Sequence, residues 1–182
     1  ILGINAHIVL MEYSGVMHDY EKASREIAGV KGVRAVTPFI YSQAMLKNAS
    51  NATGVILRGL ATDSAFQVIN LGKMKEGSAD YLNRKNRPPG RTAGIREELP
   101  GILIGKELAK NMGLFLFDTV SVLAPQGISS PMGMIPRLKK FLVVGIFDSG
   151  FYEYDSTLAF LSLPDCQEFL GMGDRVTGIE VK

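Results

Sequence analysis

The tightest constraint in this chain is a proline-punctuated stretch, 125–140 (PQGISSPMGMIPRLKK), set between two strand-like runs, 119–124 and 141–147. Pro125, Pro131 and Pro136 each fix φ and remove an amide donor. The stretch therefore reads as a hairpin tip that is stiffened and poorly suited to edge-to-edge pairing. Hairpin loops usually hold about two to five residues. A longer one either collapses onto its own domain or offers its apolar side chains to something else. Here those side chains are Ile128, Met132, Met134 and Ile135.

The rest of the composition narrows the function classes. At 182 residues, 46% hydrophobic and 21% charged, the chain can bury a core as one domain or two small ones. A net charge of +2 argues against a dedicated nucleic-acid binder. The single cysteine, Cys166, excludes an internal disulfide framework and says little about redox compartment. No apolar run is long enough to span a bilayer as a helix, and the start has no secretory-leader pattern. Beginning at Ile1 and stopping at Lys182 within a strand-like run, the sequence is expected to be a piece of a longer protein.

In chain order, 4–12 reads as a strand. Asp19 offers an N-cap for a helix to about Ala28, with Tyr20, Ala23, Ile27 and Val30 on one face and Glu21 and Arg25 on the other. A strand over 33–46 contains Pro38, which implies an edge, a bulge or a break. After a polar turn at 48–53, its antiparallel partner runs over 55–60, and Thr62 or Asp63 caps a short helix to Ile69. From 72 to 101 the pattern dissolves. Within it, 83–94 carries Arg84, Lys85, Arg87 and Arg91 around Pro88, Pro89 and Gly90. This is either a basic patch for lipid headgroups or an acidic partner, or a solvated connector. Beyond it come a strand at 102–104, a helix over 106–112 closed by Gly113, the hairpin, and a strand over 156–161. A helix opened by Ser162 and Pro164 and closed by Gly171 follows, then a last strand over 176–181.

Catalytic chemistry finds no foothold. Gly101–Glu107 has the wrong glycine spacing for a phosphate loop and a glutamate where a hydroxyl is needed. Gly171-Met172-Gly173 lacks the third glycine of a dinucleotide fingerprint. His7, His18 and Cys166 show no metal-ligand spacing, and Cys166 reads as small core filling. Glu153 and Asp155 are the nearest approach to a carboxylate pair and would share a side if their segment were extended. No enzyme activity, cofactor or metal is expected.

Several segments together carry a resemblance: SPMGMIPR (130–137), SGFYEYDSTLAFLSLPDCQEFLGMGDRVTGIEVK (149–182), the opening ILGINAHIVL, and between them GVRAVTPF, GVILRGL and ILIGKELAKNMGL. They resemble the periplasmic domain of the lipoprotein-releasing permeases, LolC and LolE, over most of the chain. The resemblance implies an inner-membrane ABC permease of the MacB-like type in a Gram-negative bacterium. Its ATPase would be a separate cytoplasmic subunit, with a partner permease subunit alongside, lipoprotein cargo, and LolA as the soluble periplasmic carrier. It implies an α+β fold: an incomplete α/β porter-like part over 1–100 and a β-rich sabre-like part over 101–182, whose hairpin, 125–140, is a hook for the carrier. The hook positions are Ser129, Ser130, Pro131, Met132, Gly133, Met134, Ile135 and Pro136, with Pro131 and Met132 at the centre. Beside it the family has a basic contact patch: Lys139 stands at one of its arginine positions, with Arg137 and Lys140 close by and Arg137 and Lys139 expected to meet the carrier, whereas Ser121 stands where the family carries a further arginine. The loop 84–91 looks like an insertion. Readings left open are a LolE-type or MacB-like domain without carrier recruitment, and an extracytoplasmic small-ligand sensor.

Overall fold

A computed structural model describes residues 6–87, 98–130 and 133–182; for 126, 128–130, 133 and 134 it describes the backbone alone. The chain opens with β1 (Ile8–Met11), α1 (Tyr20–Ala28) and β2 (Val36–Lys47). β10 (Gly178–Val181) lies antiparallel between β1 and β2, so those two strands run parallel with the chain's last strand between them. The strand, helix, strand opening is present. Asp19 does not cap α1 as expected: its φ is 49° and its side chain makes no capping bond, while Tyr20, Ala23 and Ile27 pack on the core as the helical spacing requires and Val30, beyond the helix end at Ala28, is exposed.

β2 turns at 48–51 into β3 (Ala52–Leu60), and α2 (Thr62–Val68) follows without a side-chain cap. Pro38 lies just before the first β2–β3 pair, Phe39 with Leu60, so its missing donor falls where β3 no longer pairs. The segment that looked patternless holds β4 (Lys73–Gly77), a 3-10 turn (Ala79–Asn83) and β5 (Lys85–Asn86). These elements are too short for a periodicity to declare itself.

β6 (Leu99–Gly105), α3 (Lys106–Met112), β7 (Thr119–Ser130) and β8 (Gly133–Asp148) come next, then α4 (Tyr152–Thr157), β9 (Leu158–Ser162) and α5 (Leu163–Leu170). The strand expected from 156 begins two residues later, because α4 runs through Thr157. Ser162 caps α5 by accepting from the Asp165 amide, and Gly113 and Gly171 close α3 and α5 in the left-handed region.

The described strands, β5 apart, form one sheet that closes on itself: β2 pairs β3, β3 pairs β9, β9 pairs β6, β6 pairs β8, β8 pairs β7, and β7 returns to β2. Strand alternation divides the apolar side chains between two cores. Ile102 and Ile104 of β6, Ala159 and Leu161 of β9, and Phe141 and Val143 of β8 face one core with α3 and α5. Leu103, Phe160, Leu142 and Val144 face the other, with α2 and the 3-10 turn. Both cores draw residues from either side of position 100. Among the described residues no helix is long and apolar enough to cross a membrane.

Candidate docking hairpin

The hairpin is laddered far more completely than its prolines suggest. Pairing runs from Thr119–Leu142 through Ala124–Arg137, breaks at a bulge, and resumes from Ile128–Ile135 to Ser130–Gly133. Pro125 lies within the bulge and Pro136 opposite it, where an absent donor costs least. The expected sixteen-residue loop over 125–140 is thus replaced by strand up to Ser130 and from Gly133. Pro131 and Met132 lie outside the described residues. Ser129, Ser130, Gly133 and Met134 are placed by backbone only, and the side chains of Ile135 and Pro136 are exposed.

Register sorts the root of the hairpin into two faces. Lys139 pairs Val122 and Arg137 pairs Ala124, and both partners are fully buried. Leu138 pairs Leu123, and Lys140 pairs Ser121, on the other face. Leu138 is 63% exposed and Ile135 56% exposed.

The inward face is fastened to α5. Phe141 meets Phe169 edge-on, with ring centroids 5.7 Å apart. Two residues along, Lys139 Nζ lies 2.9 Å from Glu168 Oε2. Two residues further, the guanidinium of Arg137 occupies the space that a side chain on Gly171 would need, and its Nε is buried without a bond. Gly171 is doubly constrained, by this contact and by its φ of 67°. Gly59 of β3 likewise lets α5 approach, since a Cβ there would sit 2.8 Å from that of Cys166. Cys166 is buried, and burial pushes its thiol up to about 12, which suits inert filling.

Lys139 and Arg137, the basic residues expected beside the hook, are therefore turned toward α5, and other cations stand on the outer face. Ser121 is flanked in register by Lys140 on β8 and Lys47 on β2, and one row along by Leu123 between Leu138 and Met45. Leu138 and Lys47 escaped the sequence reading. The signal for Leu138 was period-two alternation counted back from a core-bound Phe141. Lys47 required the β2–β7 pairing, which no local pattern records.

The basic segment leans on the chain's own acids. Lys85 Nζ lies 2.9 Å from Asp165 Oδ1, and Arg87 pairs Glu98 at 2.8 Å. Arg84 sits 5.3 Å from the Tyr81 ring centroid, and Arg91 lies outside the described residues.

The YEYDSTLAF run has a structural explanation. Its first part is helical, so Glu153 and Asp155 are not an extended pair. Asp155 is fully buried and accepts from the Ser149 amide at 2.8 Å. Its Oδ2 faces Lys106 Nζ at 3.8 Å, and that ammonium bonds Asp148 Oδ1 at 2.8 Å. The hydrogen bond from Lys106, with help from the Gly150 amide and Lys75, holds Asp148 down to about 2, and Asp148 in turn raises Lys106. This cluster ties the end of β8 to the starts of α3 and α4.

A second buried pair sits under β10. Arg58 Nη2 lies 2.6 Å from Glu180 Oε1, with its guanidinium 5.8 Å from the Phe39 ring centroid and 5.9 Å from that of Phe160. Burial raises the Glu180 carboxyl and Arg58 opposes the shift. Among the described residues no cluster of His, Cys, Asp or Glu has the form of a metal site.

The fold is shared with solved domains of ABC-type transporters. The structure superposes on the extracellular domain of the noncanonic ABC-type transporter YknZ from Gram-positive bacteria with a TM-score of 0.57 at 13% identity, covering all of this chain and 80% of that one. It matches the periplasmic region of MacB from Actinobacillus actinomycetemcomitans with a TM-score of 0.55 at 17% identity, covering 97% of this chain and 66% of that one. In sequence, the lipoprotein-releasing system transmembrane protein LolC of Xylella fastidiosa (strain Temecula1) is 33% identical over 183 residues, and that of Neisseria meningitidis serogroup B 29% over 186. Each alignment covers the whole of this chain and 41% of the relative. No protein-family model matches. This chain is thus similar over its whole length to about two fifths of LolC, and it shares its fold with the solved domains of YknZ and MacB.

Proposed function

We propose that this domain belongs to an inner-membrane permease that releases lipoproteins, and that its β7–β8 hairpin recruits the periplasmic carrier LolA. The ATPase is then a separate cytoplasmic subunit, and a partner permease subunit completes the transporter. The observation that carries this reading is a hairpin paired to its last described residues, Ser130 and Gly133, whose strand β8 exposes Ile135 and Leu138. A laddered hairpin is preorganised, so little ordering entropy is lost on docking. Burying each of those two side chains contributes about 1.5–3 kcal/mol. Association costs about 4–15 kcal/mol, so these anchors and Met132 together give an affinity low enough for a carrier that docks and departs. Lys47 and Lys140 fit an acidic carrier surface and make association salt-dependent.

The test is capture of the chain on immobilised LolA from the same organism. Wild type is expected to bind, and Met132→Glu and Pro131→Ala to bind at least several-fold more weakly. Equal capture of all three removes the hook from the mechanism. No capture of folded wild type replaces this reading with a LolE-type or MacB-like domain that does not recruit a carrier.

A further inference from the structure

We propose that Arg137 and Lys139 are positioning residues, which fasten the inward face of the hairpin root to α5 so that its outward face, with Leu138 and Lys140, is held toward the partner. The inference rests on the hairpin being the docking element. It departs from the expectation drawn from the sequence, in which Arg137 and Lys139 themselves meet the carrier.

The three attachments fall on alternate residues of one strand, which is why one helix can take them all. Phe141 packs on Phe169, Lys139 pairs Glu168, and Arg137 abuts Gly171. They grade from a fully buried contact at the base to a partly exposed ion pair, in which the Lys139 side chain keeps 26% of its accessibility and that of Glu168 keeps 66%. Next comes a guanidinium lodged against a helix end that has no side chain of its own. Arg137 is the last β8 partner before the bulge. Beyond that point the described contacts of the hairpin are the backbone pairs of the ladder, and a two-stranded ribbon has little stability of its own. The helix sets the direction in which the ribbon leaves the sheet.

A residue that contacts the carrier and one that acts through α5 respond differently to charge exchange. Glu168→Ala and Lys139→Ala are each expected to weaken LolA capture about two- to fivefold, the range set by a partly exposed ion pair. The Lys139→Glu variant should lose more, and Lys139→Glu combined with Glu168→Lys should return to within about twofold of wild type, the scale on which a restored surface pair is felt. Hydrogen exchange without the carrier supplies a second readout: amides 135–139 should exchange several-fold faster in Lys139→Ala, Glu168→Ala and Arg137→Met, with no change in β3 or β9. If Glu168→Ala captures LolA like wild type while Lys139→Ala does not, or if the double exchange stays as weak as Lys139→Glu, Lys139 meets the carrier directly and the proposal is overturned. If the wild-type chain does not bind LolA, the functional reading fails by itself, and the exchange measurement still decides whether α5 holds the hairpin. Unchanged exchange in all three variants ends the proposal.

Discussion

Two ion pairs in this domain have similar geometry and opposite surroundings. Arg58 and Glu180 meet at 2.6 Å inside the protein, walled by Phe39 and Phe160, and join β3 to β10 across β2. Lys139 and Glu168 meet at 2.9 Å near the surface and join the hairpin to α5. A buried charge left without its partner is costly, so the first pair is bound up with the integrity of the fold. The second is worth little to global stability and acts on the direction of one ribbon. Similar contacts thus serve different ends, set by how much water each keeps.

The comparison is broken most sharply by truncating the buried pair. Glu180→Ala is expected to cost about 3–5 kcal/mol, read by urea denaturation, because it leaves Arg58 charged and alone between two rings. A loss no larger than that of Lys139→Ala, which should stay below about 1 kcal/mol, would erase the distinction. Replacing Glu180 and Arg58 together by apolar residues should recover much of the loss, since the cost lies in the orphaned charge.

Next in size is Asp155→Ala. It strips the Ser149 amide of its buried acceptor and should destabilise the chain by about 1–3 kcal/mol. It also loosens α4 against α3 without touching the hairpin, so LolA capture should be unaffected once the variant is folded.

The pH response is smaller and has a definite sign. Asp148 is held at about 2, below its ordinary 3.8, so its contribution is complete above about pH 4 and disappears as pH falls through 2. Melting temperatures of wild type and Asp148→Asn should differ at pH 5 and converge toward pH 2. A gap that widens on acidification contradicts the assignment.

The least effect on stability, within about 0.5 kcal/mol, is expected for Leu138→Glu, an exposed position. The same change should weaken carrier capture strongly, because it sets a charge at an apolar contact. If Leu138→Glu binds like wild type, the outward face is not the docking face.

What was legible in the sequence was local. Ser162, Pro164 and Gly171 announced α5 by capping chemistry that depends on a few neighbouring residues, and Gly113 did so for α3. The hairpin's two strands were legible, but its length was not. The sequence implies a stiffened tip over 125–140, whereas a single bulge that contains Pro125 and lies opposite Pro136 lets the ladder continue. The return of β7 to β2 could not be read at all, because that pairing joins residues far apart in the chain. With it went Lys47; the inward turn of Lys139 needs only period-two alternation counted back from Phe141. Asp155 was visible as an acid, and its burial was not, because α4 is too short for a periodicity to show which of its sides is buried.

The most direct test of the central claim is a hydrogen-exchange footprint of the chain with and without LolA. Protection is expected in peptides spanning 126–140 and in β2 around Met45 and Lys47, with α3, β1 and the α5 surface away from the hairpin unchanged. Protection confined to β1 or α3, or none under conditions where LolA is shown to bind, would contradict a docking hairpin.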